Sequence, residues 1–429
     1  MDVRITGGRT LRADEIAVDG SKNAAMPLLA AAAASRARIE VRNVPGSSDV
    51  QTMLELIARC GWSVTPTRHG VLVSGDALGT ENPEAALNAA AAIRASYYLV
   101  PALLGAYGRA ELPWPGGCSI GERAMDLHFK VYEAFGDQCA EHESGYRVTA
   151  GRPPTRVEIP LPYRSRGATI AAMLRAASAP ATTVEITNPN TSAEVMAVFD
   201  GLVGSMWDGQ ISTDRLELTP RRANAGRAWI VPGDKVEAAT LATALLITGG
   251  SGDITGVNGR DLTAFCRAVG EVGLYVEPYI DRLRVRAIAG YRKRPWAGIH
   301  ARAGLGQRDL DADFEPLLMA LALTCAGHHT FRDEINPGRH GNLVPELAAL
   351  GAHITQLSPT HAVFTGPQKL HGAAVRAGDI RSGAALMVAA LAAQGTTTLT
   401  GLDQVRRGYA DLPGKLAALG ARIETEVEA

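Results

Sequence analysis

The sequence predicts an α/β protein of two domains, each built from three copies of one unit. Three observations carry that prediction. The chain has 429 residues, long for one core when domains run to ~100–200 residues. One order of elements recurs along it: an alanine-rich helix, a short apolar strand, a turn, an amphipathic helix closing near Gly, and another strand. The alanine-rich helices are apolar nearly all round, as expected of helices buried inside a unit.

The turn and amphipathic helix are clear in five copies, Val41–Val64, Val184–Trp207, Ile254–Glu277, Thr330–Ile354 and Leu399–Ile423. A sixth, weaker copy lies in Leu112–Cys139. Their closing glycines, Gly61, Gly136, Gly204, Gly273, Gly351 and Gly420, stand 68 to 78 residues apart. Solenoid repeats run to ~20–50 residues, so each unit here is large enough to be a small α/β layer. Glycine suits a helix C-terminus, where a left-handed residue is needed. Links near Gly20-Ser21 and Pro232-Gly233 divide the chain into residues 22–232 and residues 1–21 with 233–429.

The alanine-rich helices begin near Lys22, Arg94, Gly167, Lys235, Asp313 and Arg381. A helix N-terminus offers free N–H groups and partial positive charge to an anion. A Lys or Arg there opposes the helix dipole. Any one such cation is ordinarily a solvated surface charge; their recurrence points to bound anions.

Composition narrows the function. Hydrophobic residues make up 46% and charged residues 20%, a globular balance, and a formal net charge of −1 gives no sign of a nucleic-acid partner. The first fifteen residues contain no apolar segment of a secretory signal. The most apolar run, Met26–Ala34, is too short to span a bilayer. Five cysteines without paired spacing fit reduced thiols and a cytoplasmic location.

Two segments point to chemistry. Gly20-Ser21-Lys22-Asn23 opens a helix where a phosphate or carboxylate can sit. In Pro115-Gly116-Gly117-Cys118-Ser119-Ile120-Gly121-Glu122-Arg123, glycines flank a cysteine near an arginine, a setting for thiolate character. Asp311 and Asp313 are rival carboxylates, and a helix N-cap is the ordinary role of either. Cys325, His328 and His329 are read as structural residues near a helix end, without the second cluster that a zinc site requires. The chain has neither Gly-x-x-x-x-Gly-Lys-Ser/Thr nor Gly-x-Gly-x-x-Gly at its glycine loop.

Several segments, taken in order, resemble the signatures of the UDP-N-acetylglucosamine enolpyruvyl transferases (MurA). They are Lys22-Asn23-Ala24-Ala25, Ile93-Arg94-Ala95-Ser96, the Gly-Gly-Cys118 loop with Arg123 and Asp126-Leu127-His128, Asp379-Ile380-Arg381-Ser382, and Arg407-Gly408-Tyr409. The resemblance runs from Ile5 to the last helix. It implies the enolpyruvyl transferase fold, a two-domain inside-out α/β barrel of six units with internal alanine-rich helices and an active site in the cleft between domains. It implies transfer of the enolpyruvyl group of phosphoenolpyruvate (PEP) to a secondary hydroxyl, with loss of phosphate and with no cofactor or metal.

Carried over by position, Lys22, Arg123 and Arg407 hold PEP, Cys118 protonates or traps it, and Asp313 takes the acceptor proton. Asn23, Arg94, Asp126, Leu127, His128, Ser165, Arg166, Gly167, Arg339, Asp379 and Arg381 complete the substrate-binding set. No obligate protein partner is implied.

Departures from the family gather around the acceptor. Its Lys-x-Ser-Val-Gly-Ala-Thr segment reads Tyr163-Arg164-Ser165-Arg166-Gly167-Ala168-Thr169 here. The Pro after the loop Arg is Ala124, and the Gln two residues after the Asp is Glu315. Aligning Arg339 with the family's Arg needs an insertion. A kept donor set with an altered acceptor set resembles the UMP enolpyruvyl transferases of nikkomycin- and polyoxin-type pathways. UMP is therefore the expected acceptor, with UDP-N-acetylglucosamine the alternative. The shikimate-pathway relative matches the Gly-Gly-Cys118 loop less well. A non-catalytic nucleotide-binding paralogue is the alternative of another class.

Overall fold

The computed structural model describes residues 2–76, 88–114, 116, 125–221, 228–286, 297–304 and 309–426. These residues gather into two compact units, one running from Gly20 to Pro232, the other combining the residues up to Asp19 with those from Gly233 onward.

In the Gly20–Pro232 unit three inner helices pack on one another: Lys22–Ser35, Val100–Tyr107 and Arg166–Ala177. From Ala24 to Ala34 the first is wholly buried, and its alanines let neighbouring backbones come close. The amphipathic helices Ser48–Arg59, Asp126–Ala134 and Ala193–Val203 bury one face each. Three described sheets cover the unit. In one of them, strands Arg156–Pro160 and Thr183–Thr187 run parallel on either side of the helix Arg166–Ala177 in sequence, the crossover that parallel pairing requires. Val184 and Ile186 point inward at alternate positions, as pleating dictates.

The other unit repeats the plan with inner helices Lys235–Ile247, Glu315–Ala322 and Ile380–Ala392, again packed together. Every residue of the first two is buried. Its outer helices include Thr263–Glu271, Arg339–Ala349 and Leu412–Ala418. Three described four-stranded sheets surround them. Two of the strands come from the start of the chain. Asp2–Thr6 pairs with Thr396–Thr400 and Arg422–Glu426, and Arg12–Ala17 lies parallel to Ser251–Thr255. Strand Arg12–Ala17, helix Lys235–Ile247 and strand Ser251–Thr255 thus form one crossover, and the whole Gly20–Pro232 unit is inserted between its strand and its helix.

The sixfold pattern of inner helices and closing glycines is present, with local corrections. Gly61, Gly136, Gly273, Gly351 and Gly420 have φ between 73° and 100°, the left-handed conformation that favours glycine. Gly204 does not: its φ is −69° and it continues the right-handed helical turn. Arg94 opens a 3₁₀ turn, Arg94–Leu99, before the α-helix proper begins at Val100. The third inner helix starts at Arg166, and the fifth at Glu315, two residues beyond Asp313. His328 and His329 lie on strand Gly327–Asp333, not at a helix end. His329 Nδ1 accepts the Ile299 N–H at 3.0 Å and its Nε2 faces the Cys325 carbonyl at 3.2 Å, so the ring ties its strand to the two segments that carry those groups. Among the described residues, no helix is long and apolar enough to cross a membrane.

Candidate active site

The starts of the inner helices carry the predicted cations, and each unit collects its own cluster. In the Gly20–Pro232 unit, Lys22 is the first residue of its helix. Its Nζ lies 3.0 Å from Asp49 Oδ2, with the two side chains 8% and 7% exposed. Asp49 is the second residue of the outer helix Ser48–Arg59. Arg166 repeats the arrangement. It is the first residue of the third inner helix, and its Nε is 3.8 Å from Oε2 of Glu194, the second residue of the outer helix Ala193–Val203. Both cations oppose their own helix dipoles, and a carboxylate from the next helix offsets that cost. Asn23, the second residue of the Lys22 helix, and Arg94 are half-buried.

Ser165 caps the Arg166 helix by accepting the Ala168 N–H through Oγ at 3.3 Å. Gly167 is needed for close approach, because a Cβ there would come within 2.7 Å of His128 Nε2. His128 is buried, and its ring packs edge-on against Tyr97 with centroids 4.8 Å apart. Burial pushes its pKa down to about 4, helped by the charge of Arg94 and opposed by Asp126. His128 is therefore a neutral imidazole at physiological pH, and neither ring nitrogen has a hydrogen-bond partner among the described residues. Asp126 is exposed in the first turn of its helix, whereas Leu127 belongs to the core and has only its backbone to offer a ligand.

In the second unit Asp313 is the hub. Its Oδ2 is 3.1 Å from Arg381 Nη2 and its Oδ1 is 3.4 Å from Arg339 Nη2. Two guanidiniums on one carboxylate fix its orientation through charge-assisted hydrogen bonds. Arg339 also contacts Asp333 at 3.2 Å and donates to the Ala312 carbonyl. Arg381 is buried over the Tyr409 ring, 5.4 Å from its centroid, and the Tyr409 hydroxyl shares a 2.9 Å hydrogen bond with Thr240. Asp379 caps the Arg381 helix, accepting the N–H groups of Arg381 and Ser382 at 3.0 Å each, and it accepts from Asn342 at 3.3 Å.

Asp311 has a different set of partners. It pairs with Lys235 Nζ at 2.8 Å and accepts the Asp313 N–H at 3.2 Å. Neither aspartate caps the helix Glu315–Ala322, whose N-cap is Phe314. Arg407 is half-buried and donates to Gln404 at 3.4 Å. Cys118 and Arg123 lie outside the described residues.

The structure thus joins Lys22 to Asp49, Arg166 to Glu194, His128 to Gly167, and Asp313 to Arg339 and Arg381. Asp49, Glu194 and Asp333 were not expected in the site from sequence, and Lys235 was expected only as a cation at a helix start. For two of them a signal exists: Ser48-Asp49-Val50 and Ala193-Glu194-Val195 occupy the same place in two repeats. Among the described residues, no group of three or more His, Cys, Asp or Glu side chains is arranged to hold a metal ion.

Comparison with known proteins adds the following. The family model described as EPSP synthase (3-phosphoshikimate 1-carboxyvinyltransferase) matches residues 5–416. The chain is 33% identical over 429 residues to UDP-N-acetylglucosamine 1-carboxyvinyltransferase 1 of Streptococcus agalactiae, an alignment covering 98% of each. It is 35% identical over 430 residues to UDP-N-acetylglucosamine 1-carboxyvinyltransferase 3 of Symbiobacterium thermophilum, covering 99% of this chain and 98% of that one. Among solved structures, the enolpyruvyl transferase NikO from Streptomyces tendae superposes with a TM-score of 0.82 at 23% identity, over 99% of this chain and 98% of that one. EPSP synthase from Acinetobacter baumannii gives 0.74 at 18% identity, over 100% of both. At those identities the two structures show a shared fold.

Proposed function

The chain belongs to the EPSP synthase (3-phosphoshikimate 1-carboxyvinyltransferase) family, and from that premise we propose that it transfers the enolpyruvyl group of PEP to a ribose hydroxyl of UMP. It is an enolpyruvyl transferase, as its 33–35% identical relatives are. The observation that carries the chemical reading is Asp313, held between Arg339 and Arg381 at 3.4 and 3.1 Å. A carboxylate so oriented is equipped to accept the proton of an attacking hydroxyl.

The reaction is an addition followed by an elimination. As Asp313 takes the hydroxyl proton, the acceptor oxygen bonds to C2 of PEP and C3 gains a proton from Cys118. In the resulting tetrahedral ketal the Cys118 thiolate takes back a C3 proton, the bond from C2 to the phosphate oxygen breaks and the C2–C3 double bond is restored, while Asp313 gives its proton to the departing phosphate. Lys22, Arg123 and Arg407 hold the carboxylate and phosphate of PEP, a task suited to ammonium and guanidinium groups. Asn23, Arg94, His128, Ser165 and Gly167 bind the acceptor.

The choice of UMP rests on Tyr163 and Arg166. Tyr163, where the resembled family has Lys, is 43% exposed and brings no charge for a second phosphate. Arg166, where the family has Val, brings a cation to a helix N-terminus, a place for a terminal phosphate. The second reading, UDP-N-acetylglucosamine as acceptor, is favoured by the names of the relatives. A cytoplasmic location belongs to the same proposal and rests on the free thiols of Cys60, Cys139, Cys266 and Cys325.

Phosphate release from PEP, measured with each acceptor and joined to the mass of the product, tests the reading. UMP should support turnover and gain an enolpyruvyl group. Release with UDP-N-acetylglucosamine alone would move the acceptor to the second reading. Tight binding of uridine nucleotides with no release from any would favour a non-catalytic paralogue.

A further inference from the structure

Behind Asp313 lies a carboxylate–imidazole pair that the reaction as written does not use. His340 Nε2 is 2.8 Å from Glu315 Oε1, and both side chains are 0% exposed. Glu315 is the first residue of the helix Glu315–Ala322, two residues after Asp313. His340 is the second residue of the helix Arg339–Ala349, one residue after Arg339. The two contacts, Arg339 to Asp313 and His340 to Glu315, therefore join the same two helix starts at neighbouring places. The buried contact is the shorter of them, 2.8 Å against 3.4 Å.

Packing alone does not account for the pair. Apolar side chains of similar volume fill a buried space at least as stably as two ionisable ones. Glu315 Oε2 and His340 Nδ1 have no hydrogen-bond partner among the described residues, so the hydrogen bonding of each side chain is concentrated on the other. Meanwhile the Arg339 guanidinium lies in the field of four carboxylates, Asp313, Asp333, Asp379 and Glu315. Any of them can attract it. A fixed helix start decides which of them its side chain reaches.

We propose that Glu315 and His340 are a positioning pair. They fix the start of the Arg339 helix against the segment that carries Asp313. Arg339 then reaches Asp313, and the base is aimed. This inference rests on the reading of Asp313 as the proton acceptor.

The test compares three substitutions at one position. A glutamine amide can place its N–H where His340 Nε2–H is, whereas the shorter asparagine cannot. His340→Phe and His340→Asn should lower kcat about 10- to 100-fold, with KM for PEP held within about threefold, and His340→Gln should recover most of the loss. A folded His340→Phe with wild-type kcat, or Gln and Asn variants that behave alike, overturns the proposal. If His340→Phe does not fold, Glu315→Leu combined with His340→Phe removes both polar partners and should fold with the same loss of kcat; wild-type kcat in that double variant overturns the proposal equally. Crystal structures supply a readout separate from turnover. The Arg339–Asp313 contact should be lost in His340→Asn and kept in His340→Gln, and an unchanged contact in both refutes the pair's role. Failure of the wild-type protein to release phosphate with any acceptor would sink the reaction reading, while the crystallographic comparison would still judge the pair.

Discussion

Asp49 holds the ammonium of Lys22 at 3.0 Å in a site where both side chains are less than a tenth exposed. The pair closes one inner-helix start with the second residue of the neighbouring outer helix, and Arg166 with Glu194 repeats it at 3.8 Å. The cation proposed to receive PEP thus has a carboxylate of the protein beside it.

That burial sets the stability effect of breaking the pair. Asp49→Ala leaves an ammonium buried and unpaired, a change that costs ~3–5 kcal/mol. Asp49→Ala combined with Lys22→Met should recover most of that loss. Urea unfolding of the two variants measures it, and a single variant as stable as the wild type would show that Lys22 finds another partner or reaches water.

Asp313→Asn should lower kcat by ~10²–10⁴, the usual worth of a general base, with a much smaller change in the binding of either substrate. Asp311, paired with Lys235 at 2.8 Å, should show a smaller effect on kcat when changed to Asn. Steady-state kinetics decide between them, and full activity in Asp313→Asn would pass the role to Asp311.

Thiol reactivity should single out Cys118. Burial pushes the thiols of Cys60, Cys139 and Cys266 up to about 12, so they remain protonated at neutral pH, and Cys325 is buried as well. An epoxide that alkylates thiolates should label the Cys118 peptide first, by peptide mass mapping at pH 7–8. Cys118→Asp should escape labelling and keep turnover. Label on another cysteine in that variant would show that the reactive thiol lies elsewhere.

His128 predicts a pH dependence of stability. Its pKa in the fold is about 4, below its ordinary value of 6.5. Between those values the unfolded chain binds the extra proton, so the contribution of a neutral His128 is present above pH 6.5 and is lost as pH falls toward 4. The whole effect is ~3 kcal/mol. Replacing His128 by Gln should flatten the slope of unfolding free energy against pH in that window. A slope equal to the wild type's would mean that the acid sensitivity belongs to other groups.

Much of this architecture was legible because it is local. A left-handed residue ends a helix most easily as glycine, so Gly61, Gly136, Gly273, Gly351 and Gly420 marked the units in the sequence itself. Gly204 was misread because a glycine tolerates right-handed φ equally well and carries no sign of which it adopts. Alanine-rich helices announced their burial by lacking a polar face. What stayed hidden was tertiary. Lys22 and Asp49 stand 27 residues apart and Arg381 and Asp313 stand 68 apart, and no periodicity along one element connects such pairs. The roles of Asp49 and Glu194 needed a comparison of one repeat with the next. The partners of Asp311 and Asp313 needed the fold, since both aspartates fit a helix cap in sequence and neither became one.

The insertion of one unit inside a strand–helix crossover of the other has a consequence for how the chain is made. Strands Asp2–Thr6 and Arg12–Ala17 leave the ribosome first, but their partners lie beyond Gly233. At ~5–20 residues per second, Arg12–Ala17 waits roughly 12–48 s and Asp2–Thr6 roughly 20–80 s for those partners to be synthesised. Throughout that time their backbone donors and acceptors have no native strand to pair with, while the Gly20–Pro232 unit has its own strands and helices already at hand. The inserted unit can therefore complete its own pairing before the partners of these strands exist. The opening residues of the chain are the ones most in need of protection from other newly made chains.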